Sequence, residues 1–206
     1  MRPLLLALLC YSAVSARAAL DLSPFPSELN GEGIKYIQLT FKDGERHVLY
    51  VIPQSWTWGG GSSQLRLTPP ATFLRASAVI EGSPLSAAQP LDEKAIGILR
   101  QEFLSTMPPG AQNVQALSEE QPFQLGGNIP TYEFTASYQL LGETFVRSTV
   151  FANLSETQLR FKFSSLKKDF DSLHRAFRAS LISWQWQEPQ PVVAQLPIAG
   201  VAPKSN

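Results

Sequence analysis

Three consecutive segments between residues 130 and 164 constrain the fold most strongly, because each alternates apolar and polar residues with a period of two. Tyr132–Leu140 is the first, and Thr144–Ala152 and Gln158–Ser164 follow after turns of only a few residues. Successive side chains of a β-strand point to opposite faces, so this period is typical of strands with two differently covered faces. The pattern therefore predicts a three-strand antiparallel meander.

The three predicted strands differ in what should cover them. In the first, Glu133 and the polar residues that alternate after it indicate a face exposed to water. The second carries apolar residues on both sides, beginning with Phe145 and Val146, so cover is expected on both of its faces. In the third, Arg160 and Lys162 share the side that points away from the core.

Two helices and further strands complete the predicted domain. Apolar residues at Ile96, Leu99 and Phe103 predict a first helix over Asp92–Thr106. A longer apolar stripe predicts a closing helix over Lys168–Trp184. The remaining predicted elements are a hairpin of Ile34–Phe41 and Glu45–Ile52, a flexible loop at Trp56–Ser63, and strands at Gln64–Thr68, Leu74–Glu81 and Val114–Gln124.

The first residues have the order of a secretory signal peptide. Arg2 precedes an apolar run at Leu4–Leu9, and Ala16-Arg17-Ala18 offers a small-x-small cleavage site. The apolar run is too short to span a bilayer as a helix. We therefore predict a signal peptide at 1–18 and a periplasmic or secreted mature protein. Cleavage would remove Cys10, the only cysteine, so stability should come from packing and not from disulfides.

Composition limits what the rest of the chain can be. We expect a lead-in at 19–33, a single α+β domain at 34–187 and a disordered Pro-rich tail at 188–206. The 17 Lys and Arg residues equal the 17 Asp and Glu residues in number, which argues against a nucleic-acid-binding protein with its usual basic excess. No second apolar run is long enough to cross a membrane, so no transmembrane segment is predicted.

Basic residues cluster in the C-terminal third of this near-neutral chain. The candidate partner contacts among them are Arg160, Lys162, Lys167 and Lys168. Such a cluster favours either a solvated face or a docking patch for an acidic partner or an anionic envelope surface, acting through orientation and association rate. We expect a protein partner in the envelope.

Tryptophan and glycine mark a second candidate contact region. Trp58 follows Trp56 by two positions and directly precedes Gly59-Gly60-Gly61. Two indole rings on one side of a strand could stack on a sugar ring, whereas the alternative places Trp56 and Trp184 in the core. The glycine run lacks the Lys-Ser/Thr of a phosphate-binding loop, which favours a flexible hairpin loop.

Patterns for catalysis and metal binding are weak. Glu45 with His47, and Asp171 with His174, could each provide two metal ligands, but a zinc site needs three or four. Surface ion pairs are the simpler interpretation, and we predict neither a metal nor a cofactor. The sequence has no Gly-x-Ser-x-Gly motif, and we name no catalytic residue. A Ser-His-Asp triad assembled in space stays open as a hydrolase alternative.

Three parts of the chain together resemble a known superfamily. They are the strand ending in Val51-Ile52-Pro53-Gln54-Ser55-Trp56, the meander at Tyr132–Ser164, and the closing helix with Phe170, Leu173, Phe177 and Leu181. Their order resembles the PsbP/Mog-like superfamily, which includes lumenal PsbP subunits of photosystem II, Ran-binding Mog proteins and DcrB-like exported bacterial proteins. The resemblance implies an antiparallel β-sheet flanked by helices on both faces, an α/β/α sandwich, and a non-enzymatic accessory role.

These observations predict an exported, non-catalytic accessory or partner-binding protein of the bacterial envelope. The first alternative is a small-ligand or glycan-binding module that uses Trp58 and the glycine loop. The second is a hydrolase with an unrecognised site, which would need a cleft holding a mutually hydrogen-bonded nucleophile and base.

Overall fold

A computed structural model describes residues 20–85, 89–154 and 156–187. The signal peptide predicted at 1–18 and the tail predicted at 188–206 lie outside the described residues. The elements are β1 (Asp21–Gly31), β2 (Ile34–Asp43), β3 (Arg46–Val51), β4 (Thr57–Gly61), β5 (Gln64–Thr68), β6 (Ser77–Pro84), α1 (Glu93–Ser105), β7 (Gln112–Glu120), β8 (Gln124–Leu125), β9 (Ile129–Leu140), β10 (Glu143–Asn153), β11 (Thr157–Leu166), α2 (Lys167–Leu181) and β12 (Gln185–Gln187).

The strands form two antiparallel sheets. The smaller sheet has the order β1-β2-β3-β12, and the larger has the order β4-β5-β6-β11-β10-β9-β7, with β8 paired to β9 off this path. The predicted meander is confirmed as β9, β10 and β11, with Phe145 opposite both Tyr138 and Leu166. The backbone N–H of Leu22 donates to the Ser62 carbonyl at 2.9 Å, which ties the smaller sheet to the larger one.

The predicted α+β architecture, an α/β/α sandwich with helices on both faces, is wrong, because strands predominate and only a single helix packs on each side of β9. Of the described residues, 56% are in strands and only 17% in two helices, and the sheet curls into a half-barrel. Part of the reason is that Asp21–Gly31 and Thr57–Gly61 are strands, where the sequence predicted a lead-in and a flexible loop. Proline and glycine hide the period of two in both segments, and only pairing with a neighbouring strand satisfies their backbone groups.

The main core lies between the two sheets and α2. The apolar stripe predicted for the closing helix is confirmed, since Phe170, Leu173, Phe177 and Leu181 are buried. Phe177 stacks parallel to Trp56 at a ring-centroid distance of 6.2 Å. Trp56 and Trp184 are buried, which confirms the interpretation that they fill the core.

A second, small core surrounds α1. Asp92 caps the helix by accepting a hydrogen bond from the Ala95 backbone N–H at 2.8 Å, and this confirms the predicted start of the helix. Leu99 and Phe103 pack against Phe134, Ala136 and Phe151 of β9 and β10. Neighbouring side chains of a strand point to opposite sides, so Phe134 faces α1 while Glu133 faces α2.

Candidate functional site: a groove beside helix α2

Glu133 is the most unusual residue of the larger sheet, because it is a carboxylate with only 1% of its surface exposed. The sequence predicted that its side of β9 would be exposed to water, and this prediction is wrong: Thr135 and Ser137 on the same side are buried as well. The strand alternation was correct, but alternation indicates which residues share a side and not what covers that side.

Three side chains hold the buried carboxylate. His174 Nε2 lies 2.6 Å from Glu133 Oε1, and the hydroxyl of Ser148 donates to the same oxygen. Arg178 Nη1 lies 3.5 Å from the second oxygen, Oε2. His174 stacks on Phe170 at a centroid distance of 4.6 Å, so the ring that bonds Glu133 is also fixed from its other side.

Opposing effects set the charge of Glu133. Burial alone would raise its pKa, but the hydrogen bond and charge of His174, the hydrogen bond from Ser148 and the charge of Arg178 outweigh burial and hold the pKa below its ordinary value. Glu133 is therefore ionised at neutral pH. An ionised carboxylate only accepts hydrogen bonds, so Nε2 of His174 carries the hydrogen that joins the two groups.

A groove opens directly over this cluster. One cavity of about 350 Å³ lies between α2 and the β7–β9 region, and another of about 430 Å³ lies between α2 and Pro122-Phe123. Asp171, His174 and Arg178 line both cavities and make them parts of one groove, which we call the α2 groove.

Strand β7 forms one wall of the α2 groove. It is the edge strand of the larger sheet, and all nine of its residues are exposed. A register shift between Ala116 and Ser118 inserts an extra residue, and both Leu117 and Ser118 line the groove there. Glu120 at the end of the strand pairs with Arg178 at 2.9 Å, so Arg178 links the exposed wall to the buried Glu133.

The structure divides the basic residues predicted as one patch. Arg160 pairs with Glu102 of α1 at 2.9 Å, and Lys162 pairs with Glu81 at 2.6 Å. Lys167 and Lys168 instead begin α2 and are exposed, and Lys167 lines the α2 groove. The four residues therefore do not form a single surface.

The second predicted contact region is a hairpin of β4 and β5. Trp58 lies opposite Leu67 and is half-buried against the main core. Gly60 has φ +149°, and a Cβ atom there would lie 2.2 Å from the Gln64 carbonyl oxygen, so the turn accepts only glycine. Gly60 therefore has a structural reason that needs no ligand, whereas a Cβ atom at Gly59 or Gly61 would meet nothing within 4 Å.

Of the four residues considered as metal ligands, only His174 has an ion-pair partner among the described residues, and this partner is Glu133 and not the Asp171 suggested by the sequence. Within residues 20–85, 89–154 and 156–187, no group of three or more His, Cys, Asp or Glu side chains could hold a metal ion. His174 bonds Glu133, and His47 is exposed on β3. Ser148 is fully buried and also bonds Glu133.

Sequence reasoning missed Glu133 and Ser148. The sequence did contain one signal for a buried polar pair. Ser148 interrupts a strand that was predicted to be covered by apolar residues on both faces. A buried hydroxyl needs a partner, so a polar residue on a neighbouring strand was to be expected. The sequence did not reveal which residue this would be, since the register between the strands brings Glu133 within reach.

The comparisons with known proteins concern the fold. No family model matches the chain, and no curated protein matches its sequence. The fold is similar to that of LpqN from Mycobacterium tuberculosis, a protein involved in cell envelope biogenesis. The two chains are 15% identical, the match covers 80% of this chain and 92% of LpqN, and the TM-score is 0.50. This identity shows a shared fold alone.

A second solved structure is more distant. It is PA94 from Pseudomonas aeruginosa, a protein of unknown function, with 14% identity, coverage of 81% of this chain and 98% of PA94, and a TM-score of 0.44. Neither helix in the described part of this chain is long and apolar enough to cross a membrane.

Proposed function

We propose that this chain is an exported accessory protein of the bacterial envelope, related to the PsbP/Mog-like superfamily, that binds an acidic segment of a partner protein in the α2 groove. The observation that carries the proposal is the buried cluster of Glu133, His174 and Arg178 beneath that groove. The envelope setting is supported by the signal-peptide pattern and by the similar fold of LpqN, which is involved in cell envelope biogenesis.

Stability alone does not account for the cluster. Taking a carboxylate out of water carries a penalty of several kcal/mol, and well-packed apolar residues in place of a buried ion pair are often as stable or more stable. Buried charged groups with shifted pKa values beside a cleft occur preferentially at functional sites. Glu133 and its partners fit this description because they lie directly under the groove.

The charges that remain free in the groove favour an acidic occupant. Glu120 and Glu133 are both engaged by Arg178. Lys167 and Arg175 also line the groove, and neither forms an ion pair with any residue that the structure describes. Asp171 is the lining carboxylate that likewise has no described ion pair, so two free cations stand against one free anion. A carboxylate of a partner segment would therefore complement these two cations and gain orientation as it docks.

The groove also offers apolar surface. Leu117 is 54% exposed at one wall and Ile182 is 59% exposed at the other end. Apolar side chains beside arginine are typical of the centres of protein interfaces. The partner segment should accordingly carry an apolar residue close to its acidic one.

A binding role is favoured over catalysis by the bonding of the cluster. A serine nucleophile is activated by hydrogen bonding to a base and must reach its substrate. Ser148 is fully buried and donates to Glu133, and His174 bonds that carboxylate too. We therefore propose that the cluster shapes a docking site and performs no reaction.

Site-specific crosslinking tests the location of the partner. A benzophenone amino acid at position 175 should yield a crosslinked envelope protein, whereas the same group at Lys35 on β2 should not. Lys35 is a matched control because it is also an exposed cation, far from α2 in the sequence. Equal crosslinking from both positions would contradict the proposed groove.

Charge reversal then tests the chemistry with the purified crosslinked partner. Lys167→Glu with Arg175→Glu should lower its affinity at least tenfold, and wild-type binding should weaken as salt screens the charges. Lys35→Glu with Arg66→Glu changes the overall charge equally at exposed positions outside the groove and should leave affinity unchanged. An affinity unaffected by the groove variant would reject the acidic occupant.

A further inference from the structure

We propose a second binding site, for a short neutral glycan, in the cavity between α1 and strands β10 and β11. This cavity has a volume of about 430 Å³, within the range typical of small-molecule sites. It does not share any lining residue with the α2 groove. It contains Arg160, one of the residues that the sequence singled out and that the α2 groove does not use.

A continuous chain of hydrogen bonds forms one wall. Arg160 Nε donates to Gln158 Oε1 at 3.0 Å, and Gln158 Nε2 donates to Asn153 Oδ1 at 2.9 Å. Asn153 Nδ2 in turn donates to the backbone carbonyl of Gln89 at 3.0 Å. Arg160 also pairs with Glu102 at 2.9 Å. Each side chain is thereby fixed in orientation before any ligand arrives.

The chain leaves a defined set of hydrogen-bonding groups. The amides of Asn153 and Gln158 each use their oxygen and one N–H, so each retains one N–H donor. The Arg160 guanidinium retains further N–H donors. On the facing wall, carboxylate oxygens of Glu102 on α1 and of Asp92, the residue that caps α1, provide acceptors. A hydroxyl group is both a donor and an acceptor, so several hydroxyls on one ligand match the two walls.

The hydrogen-bonded wall of the cavity is partly buried, which distinguishes it from an ordinary solvated surface. Gln158 is only 5% exposed, although glutamine is mostly found at the surface. Gln158 keeps one N–H without a partner among the described residues, so a ligand oxygen that accepts from it relieves the cost of a buried, unpaired donor. Leu85, Pro90 and Leu99 line the remainder of the cavity and offer apolar contact for the C–H faces of a sugar.

The charges of the cavity disfavour ionic ligands. Asp92 and Glu102 would repel an anion, and Lys94 and Arg160 would repel a cation. An extended peptide is disfavoured for a different reason, since β10 and β11 are both paired on two sides and have no free backbone edge for it. A neutral, compact, polyhydroxylated ligand is the class that fits.

The test uses the full mature protein on an array of neutral and acidic oligosaccharides, with each bound glycan then measured by calorimetry. At least one neutral oligosaccharide should bind saturably with one site per chain. Gln158→Met, which keeps the volume but removes the amide, should weaken that binding about tenfold. Trp58→Phe is the matched control in the other predicted sugar-contact region and should leave the affinity unchanged.

Several results would overturn the site. Failure of every neutral glycan to bind, or binding of acidic glycans alone, would reject the ligand class. Loss of binding in Trp58→Phe but not in Gln158→Met would move the site to the glycine hairpin. If Gln158→Met fails to fold, Ile98→Lys serves instead, because Ile98 is 60% exposed at the cavity and its replacement should block entry without disturbing the core.

Discussion

The regions around the two helices differ in the size of the apolar core and in the polar groups beside it. Around α2, a large core buries aromatic residues from both sheets and holds an ionised glutamate at its margin. Around α1, five buried side chains suffice to hold the helix, and a polar cavity remains beside them. Because α2 packs against the larger core, we expect it to contribute more to the stability of the domain than α1, which borders the open cavity.

The largest expected change is a loss of stability, and its size should differ between the two cores. Phe177→Ala should lower the free energy of unfolding by about 3–5 kcal/mol, because Phe177 is fully enclosed between Trp56 and Phe163 and its removal leaves a cavity. For Phe103→Ala the expected loss in the free energy of unfolding is smaller, about 3 kcal/mol, because the small core can relax toward the open cavity. Denaturant midpoints measure both; a larger loss in Phe103→Ala would reverse the assignment of stability.

A smaller change in stability is expected when the charge of Glu133, at the margin of the main core, is removed. The pKa of Glu133 is lowered in the folded protein, so its stabilising contribution is present above the unfolded value of about 4.3 and is lost as pH falls through the folded value. Glu133→Gln should be less stable by about 1–3 kcal/mol at neutral pH, with the difference from wild type shrinking in acid.

Unfolding curves between pH 7 and pH 3 measure this dependence. His174, Ser148 and Arg178 face Glu133 and are intact in both proteins. Glu45→Gln changes an exposed carboxylate and should reproduce the wild-type dependence. A pH dependence that is identical in wild type and Glu133→Gln would show that the buried carboxylate is not the titrating group.

The smallest expected change in stability concerns Lys162, which shares one side of β11 with Arg160. The sequence indicated that Lys162 points into water, but it lies 2.6 Å from Glu81 on the neighbouring strand. Lys162→Glu should therefore cost up to about 1 kcal/mol through like-charge repulsion across the strands. Adding Glu81→Lys should restore the loss, and thermal unfolding of the three proteins measures it. Failure of the swapped pair to recover would show that the contact contributes nothing.

Much of the fold could be predicted where the pattern is local. The meander, the cap of α1 at Asp92 and the buried stripe of α2 follow from alternation, capping chemistry and helical spacing. The strands at Asp21–Gly31 and Thr57–Gly61 could not be predicted in this way, because their prolines and glycines have no strand preference of their own. The absence of these strands from the prediction is part of the reason that the sandwich prediction was wrong.

The candidate sites show the same limit. Arg160 and Lys167 were identified from the sequence, but as members of one patch, whereas the structure assigns one to the α1 cavity and the other to the α2 groove. Glu133 was identified as a polar residue of a strand, with the wrong surroundings. Sequence spacing within one element fixes which residues share a face, and it contains nothing about the element that will cover that face.

From the amino-acid sequence follow the period of two in the meander, the apolar stripes of both helices, several aromatic residues of the main core and the lack of a strong charge bias. Tertiary structure alone decided that the sheet curls, that α2 buries Glu133, and that α1 leaves a polar cavity. The physical reason is that burial and charge pairing depend on contacts between residues far apart in the chain, such as Glu133 with His174 and Glu102 with Arg160. Those contacts exist only once the strands have paired and the helices have packed against them.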